Sequence, residues 1–421
     1  MTGVAKEIER LVSETMGVRL PVGLSAWDGS HAGPADGPQA VLRSPKALRR
    51  LLFKPGELGL ARAYVCGDLN VDGDLTEALR RGGAAVRDAG ASGISVKTLL
   101  SGLGFGLRRG VVGLPPSPPA EEARLRGRLH SRFRDRAAIS HHYDHGNDFY
   151  SLVLDEHMAY SCGYFAADDP DYMLADAQRD KLDLIREKLG LHEGMRLLDV
   201  GCGWGSLLLR AADKYEVRAV GITLLAEQAE FVHARAKQRG LDHLVEVRLR
   251  DYRELPDTED AGSFDAVASV EMGEHVGEDN YPRYAETLRA MLRPQGGLLL
   301  QQMSRGGNAP GGGAFIESYI APDMTMRPLS ATMAHLERAG LEIRDVQALR
   351  EHYVHTVRAW QDTLEQRWDD VVAHSGERFA RVWRLYLAGG ALAFEENRMG
   401  VDQILAVRPD DEGRSGFGVG A

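Results

Sequence analysis

The stretch from Leu197 to Arg210, LLDVGCGWGSLLLR, constrains the fold more than any other part of the chain. Leu197, Leu198 and Val200 form an apolar run that reads as a buried strand, and Asp199 sits near its end. Gly201, Gly203 and Gly205 follow at alternate positions, and a helical apolar pattern resumes at Leu207. Glycine is needed where backbone turns sharply after a strand and comes close to a ligand, because a Cβ would occupy that space. The third glycine arrives one residue too early for a G-x-G-x-x-G dinucleotide fingerprint. The stretch reads as a strand–turn–helix cofactor site.

At 421 residues the chain is long for one domain and comfortable for two. Its net charge of −10 argues against nucleic acid as the main partner, since phosphate binding demands a basic face. Cys66, Cys162 and Cys202 are far apart and odd in number, so they suggest reduced thiols and a cytoplasmic setting, not a disulfide framework. The start of the chain carries Lys6, Glu7, Glu9 and Arg10 in place of a signal peptide's apolar core. No run approaches the roughly 20 apolar residues of a membrane span, so membrane contact is expected to be peripheral, at the inner face.

Composition divides the chain into a small α/β unit over 1–85, a Gly/Pro-rich linker over 86–123, a larger domain over 124–408 and a flexible tail over 409–421. The linker ends in Pro115-Pro116-Ser117-Pro118-Pro119, yet holds Leu99, Leu103, Phe105, Leu107, Val111 and Val112. Those residues are apolar enough to pack on a domain or to touch lipid. Arg124, Arg126, Arg128, Arg132, Arg134 and Arg136 follow, a basic run that reads either as a solvated helix face or as a patch for anionic headgroups. Beyond residue 140, strands expected at Arg196–Val200, Arg218–Thr223, Val245–Leu249, Phe264–Val270 and Gly297–Met303 alternate with helices. That alternation implies a mostly parallel sheet with helices on both faces and a ligand beyond the carboxyl ends of its strands.

Four strand ends should surround one cofactor. The first brings Asp199 and the three glycines; the second ends at Thr223, with Gln228 one turn into the next helix; the third ends at Asp251-Tyr252; the fourth runs through Glu271 and Glu274. Upstream, ISHHYDHGNDFY and YSCGYF add Tyr143, Tyr160 and Ser161 to the cofactor-binding candidates and Cys162 to the catalytic ones. His141, His142 and His145 have no partners at metal-ligand spacing, so no metal site is expected.

The strings HYDHGNDFY, YSCGYF, LDVGCGWG, GITLLAEQ, MGEHVG, FIESYI and VWRLYLAGGALAF, in that order, resemble the cyclopropane-fatty-acyl-phospholipid synthase family of S-adenosylmethionine (SAM)-dependent methyltransferases. The resemblance implies an α/β fold: a Rossmann-like class I SAM methyltransferase domain preceded by a small lipid-binding-type domain. It implies SAM as cofactor and methyl transfer to the double bond of an unsaturated acyl chain in a membrane phospholipid. In the synthases a bicarbonate ion acts as base, held by a cysteine, a glutamate, a histidine and a tyrosine. By motif these correspond to Cys162, Glu274, Gln301 in place of the histidine, and Tyr386.

Two departures bear on the product. Gln301 donates a hydrogen bond but carries no charge, and Glu271 replaces a glycine and adds a carboxylate that repels an anion. Bicarbonate is therefore disfavoured, and a desolvated carboxylate is the candidate base. The resemblance then points to the branch forming a mid-chain methylene, the precursor of methyl-branched lipids such as tuberculostearic acid, completed by a separate reductase. A cyclopropane product, a soluble acceptor, or a lipid carrier without turnover are the rival readings, and a homo-oligomer stays open.

Overall fold

A computed structural model of the chain describes residues 3–89, 104–123, 125–143, 146–167, 169, 171–307, 309–310 and 312–417. Two compact units emerge: residues 1–123, 312–319 and 368–392 form one, and 124–311, 320–367 and 393–421 the other. The linear partition expected from composition is thus replaced by one in which the larger unit's sequence is interrupted twice.

The first unit opens with α1 (Val4–Met16), β1 (Gly23–Ala26), β2 (His31–Ala32), β3 (Gln39–Leu42), α2 (Pro45–Phe53), α3 (Glu57–Val65), β4 (Leu69–Asp72) and α4 (Leu75–Asp88). Ser44 and Asp74 accept hydrogen bonds from the first turns of α2 and α4, as helix-capping side chains do. The strands form a sheet in the order β2-β1-β3-β4, with β1 and β3 parallel. The expected linker is in part core: a short helix α5 (residues 104–108) leads Phe105 and Val111 into the cluster of Val4, Leu24, Leu42 and Ala63. Leu99 and Leu103 lie outside the described residues.

The second unit contains α6 (Arg132–Tyr143), α7 (Gly146–Val153), α8 (Leu174–Leu189), β5 (Arg196–Val200), α9 (Ser206–Tyr215), β6 (Arg218–Thr223), α10 (Ala226–Gln238), β7 (Val245–Leu249), β8 (Phe264–Val270), α11 (Tyr281–Met291), β9 (Leu292–Ser304) and β10 (Ala309–Pro310). After α12 (Ala314–Tyr319), which belongs to the first unit, come β11 (Thr325–Met326), α13 (Leu329–Arg338), β12 (Glu342–Ala348) and α14 (Arg350–Gln366). Then α15 (Trp368–Ser375) and α16 (Glu377–Glu395) precede β13 (Gly400–Val407).

The seven strands order as β12-β13-β9-β8-β5-β6-β7. From β9 to β7 all neighbours are parallel, whereas β13 is antiparallel to both β9 and β12. β5 is buried along most of its length, which explains its unbroken apolar run. One face carries Tyr281, Tyr284 and Leu288 of α11; the other carries Leu182 and Ile185 of α8. Strand order reverses at β5 and β8, so a crevice opens beyond their carboxyl ends. Tyr284 donates to the Ser269 hydroxyl at 2.7 Å, and Ser269 donates to the Val200 carbonyl at 2.7 Å, tying the two strands at that point. The tail is not frayed as expected: up to Phe417 it folds back, and Phe417 packs on the α8-side core under Arg344. No helix among the described residues is long and apolar enough to cross a membrane.

Because Phe105 is core and not tether, Phe105→Ala should destabilise the first unit by about 3–5 kcal/mol, the usual cost of deleting a buried ring. Urea unfolding that leaves the midpoint unchanged would return the segment to linker status.

Candidate active site

The crevice is lined by Tyr160, Ser161, Asp199, Gly201, Gly203, Thr223, Gln228, Asp251, Tyr252 and Glu271, ten of the sequence candidates. Ile139, Met158, Leu182, Leu207, Val270 and Met272 supply apolar wall between them. Tyr143 belongs to α6, but its side chain lies outside the described residues.

The glycine turn divides its labour. Gly203 has φ +50°, and nothing among the described residues lies within 4 Å of where a Cβ would stand, so its outer face opens on the crevice. Gly205 has φ +75°, and its Cβ would stand 2.7 Å from Val232 of α10. Gly205 does not line the crevice; it allows the turn to pack. Trp204, between them, donates to Asn147 at 2.7 Å and meets the Tyr150 ring at 4.5 Å.

Polar groups along the wall are oriented by their own partners. Thr223 donates its hydroxyl to Gln228 Oε1 at 2.8 Å, which leaves the Gln228 amide hydrogens for the crevice. Asp251 caps the turn that follows it and takes Arg253 Nε and Nη2 at 2.8 and 2.6 Å. Asp199 Oδ1 is buried with no hydrogen-bond partner among the described residues. Burial pushes its carboxyl up to about 7, opposed by the charge of Lys181. An orphaned buried acceptor beside free amide donors fits a zwitterionic amino-acid ligand: Asp199 toward an ammonium, Gln228 toward polar oxygens, with Asp251 and Tyr252 beside a base and its sugar.

At the end of β8 the second part of the site is assembled. Glu271 takes φ +53°, a left-handed conformation that costs a side-chain-bearing residue about 1–2 kcal/mol and explains why glycine suits this position. Its backbone N–H donates to the Gln301 carbonyl at 2.7 Å, extending the β8–β9 pairing. Its carboxylate accepts from the Cys162 backbone N–H at 2.8 Å, from Gln301 Nε2 at 2.8 Å and from the Tyr353 hydroxyl at 2.6 Å. Gln301 cannot turn over, because Gln403 of β13, paired with it in register, donates to its Oε1 at 3.0 Å. Burial raises the Glu271 carboxyl, and Tyr353, the Cys162 N–H, Gln301 and Lys181 oppose that rise.

The remaining catalytic candidates have different places. The Cys162 thiol points away from Glu271, toward the carbonyls of Gly163 and Leu349 at 3.3 and 3.7 Å, and burial pushes it well above the ordinary thiol value. Cys162 serves through its backbone. Glu274 is fully buried off the crevice and accepts from the Met303 N–H at 2.6 Å. Burial and the neighbouring Glu271 charge push it up to about 8, so it is protonated at neutral pH. Tyr386 belongs to the first unit, where its ring meets Trp383 edge-on. The tyrosine on the carboxylate is Tyr353, which sequence reasoning missed. Its ring stacks on Phe394 at 4.4 Å and meets Trp360 of its own helix at 6.1 Å. The visible signal was the string HYVHTVRAW, with tyrosine, histidines and tryptophan on one helix. Lys181, Arg250, Arg253 and His275 also line the crevice and were not singled out.

A doubly wound sheet with this glycine turn and this row of strand-end polar groups defines a class I SAM-dependent methyltransferase. Known proteins agree. The family described as mycolic acid cyclopropane synthetase matches residues 130–404, and the chain belongs to that family. A probable fatty acid methyltransferase of Mycobacterium tuberculosis is 39% identical over 93% of this chain and 92% of its own length. A tuberculostearic acid methyltransferase of the same organism is 33% identical over 95% and 90%. Among solved structures, a mycolic acid cyclopropane synthase complexed with SAH and CTAB has 29% identity and a TM-score of 0.59, covering 64% of this chain and 97% of that one. SAM is the cofactor.

Gly203→Val should abolish SAM binding in calorimetry while the protein stays folded, at a cost of about 1–2 kcal/mol for its left-handed backbone, because its side chain enters the crevice. Gly205→Val should instead lower thermal stability, since its side chain meets Val232. Equal SAM affinity in Gly203→Val and the unaltered protein would remove the turn from the cofactor site.

Proposed function

We propose that this enzyme methylates the double bond of an unsaturated acyl chain in a membrane phospholipid, and that Glu271 takes the proton that ends the reaction. The observation that carries this reading is the Glu271 carboxylate, half-buried in the crevice wall and held by three donors. In related synthases the base is a bicarbonate held by protein donors. Here a tethered carboxylate already takes the Cys162 N–H, Gln301 and Tyr353, so a diffusible anion has no part.

Bound SAM supplies an electrophilic methyl group. The alkene π pair forms the new carbon–carbon bond, and the electron pair of the broken carbon–sulfur bond stays on sulfur. The positive charge left on the chain favours a negative group fixed nearby, which Glu271 provides without any reorganisation. A hydride shift to the cationic carbon moves the charge to the methyl-bearing carbon. Glu271 then removes a proton from the methyl, and that C–H pair becomes a C=CH2 double bond branching from the chain. The product is a mid-chain methylene, and saturating it needs a separate reductase with a flavin or nicotinamide hydride donor. The likeness to a tuberculostearic acid methyltransferase supports this branch.

Access to acyl chains requires a bilayer. Arg126, Arg128 and Arg136 are exposed beside Leu129 and Phe133, which are 55% and 74% exposed. Arg132 and Arg134 are engaged with Glu254 and Asp323, and Arg124 lies outside the described residues, so the basic run is narrower than its sequence suggests. Exposed guanidinium groups with no ion-pair partner among the described residues, flanking two apolar side chains, suit an anionic membrane surface, and each contributes about 1 kcal/mol there. The enzyme on this reading works at the cytoplasmic leaflet.

Glu271→Gln should keep SAM affinity and cut turnover by about 10²–10⁴-fold, the scale of a lost general base. Mass spectrometry of acyl chains from unsaturated vesicles should show the methylene with the unaltered enzyme. A purely cyclopropane product together with normal turnover in Glu271→Gln would make the chain an ordinary ring-forming synthase. Sedimentation with anionic vesicles should fall for the combined Arg126→Gln, Arg128→Gln and Phe133→Ser variant, and more so at low salt. Undiminished co-sedimentation would place the lipid-facing surface elsewhere.

A further inference from the structure

Lys181 is a crevice residue that the reaction above leaves without a role. It projects from α8 among Ala177, Leu182 and Ile185, is 1% exposed and lines the crevice. An ammonium in such a wall is costly unless it is compensated. Its Nζ donates to the Ser161 hydroxyl oxygen at 2.8 Å. One helical turn earlier, Gln178 Nε2 donates to the Ser161 carbonyl at 2.8 Å and the Ala159 carbonyl at 3.3 Å. Two side chains of one helix therefore grip the segment 159–161. The next residue, Cys162, is the one whose N–H holds Glu271.

The donation from Lys181 has a directional consequence. It occupies an acceptor site of the Ser161 oxygen, so the hydroxyl hydrogen must turn elsewhere, and Ser161 itself faces the crevice. The charged neighbours of Lys181 are acidic or neutral: Glu271 at the end of β8, Asp199 on β5, Asp155 after α7, and the Cys162 thiol. Around Glu271 stand Tyr353 of α14, Gln301 of β9, and Glu274 of the following turn.

We propose that Lys181 is a positioning residue of the transfer site, aiming the Ser161 hydroxyl at the carboxylate end of SAM and supplying the buried positive charge that faces Glu271. The second half rests on Glu271 being the base. Removing the ammonium removes an opposite charge from the cavity, so Glu271 must take up a proton more readily. A base that is protonated at higher pH loses activity at higher pH, and the acid limb of the rate profile moves upward.

The test uses the full-length chain as Lys181→Met, Lys181→Arg, Ser161→Ala and Glu271→Gln, with unsaturated anionic phospholipid vesicles and SAM as substrates. Lys181→Met should move the acid limb of kcat up by about one to three pH units, the range for loss of an adjacent opposite charge. Lys181→Arg, which keeps the charge, should hold the limb near its original position. Ser161→Ala should raise KM for SAM and leave the limb in place, a split that a merely structural lysine does not produce. A folded Lys181→Met enzyme with an unmoved limb overturns the proposal, as does Lys181→Arg shifting as far as Lys181→Met. Should Lys181→Met fail to fold, an unchanged KM for SAM in Ser161→Ala overturns it. Glu271→Gln separates the two ideas: full activity there removes the base itself, whereas an inactive Glu271→Gln beside an unmoved Lys181→Met limb removes only the role of Lys181.

Discussion

A carboxylate pinned in the crevice wall by three donors is the constraint on which the second unit's site depends. Burial favours the neutral form of Glu271, and its left-handed backbone adds a cost of its own. Both are offset by donors from three separate parts of the chain: the segment before α8, strand β9 and helix α14. Each donor is itself fixed. Gln301 is locked by Gln403, Tyr353 by its stack on Phe394, and the Cys162 backbone by the grip of α8 on its neighbour. The sheet order brings these groups together, because β13 lies next to β9 and β9 next to β8.

The acids of the unit are graded by environment. Glu274, off the crevice and close to Glu271, is neutral at physiological pH, while Asp199 is poised near it. Only one of the two glutamates in the stretch Glu271–Gly277 can then carry charge cheaply, as for any pair of nearby carboxyls in low dielectric. A sulfonium entering this cavity meets an excess of acceptors over cations. That balance suits a reaction whose charge is positive throughout.

Much of the fold was legible. The strands at Arg196–Val200, Arg218–Thr223, Val245–Leu249 and Phe264–Val270 stand at the expected residues, because central parallel strands are short apolar runs closed by turn residues. β12 and β13 were missed: Glu342–Ala348 is half polar at the sheet edge, and Gly400–Val407 carries Asp402 and Gln403 within its apolar run. The glycine turn, Gln228, Asp251 and Glu271 were readable from local strings. Of the partners of Glu271, Cys162 and Gln301 were among the candidates, whereas Tyr353, and Gln403 behind Gln301, were not. The Gln301–Gln403 pair spans 102 residues and exists only through strand register, and Tyr353 looks like one more core aromatic until its hydroxyl is placed. The thiol of Cys162 suggested chemistry by its residue type, while its function here comes from an atom every residue has.

The position of β13 has a consequence for biosynthesis. β13 follows β9 and β12 in the chain, yet it is inserted between them and is not added at an edge. Until it arrives, β9 and β12 both present unpaired backbone, and the amide that orients Gln301 does not yet exist. Through that interval the two strands are open to edge-to-edge association. The orientation of Gln301 against Glu271 is therefore fixed only when β13 slots between its two neighbours, so a contact at the heart of the crevice reports on completion of the sheet.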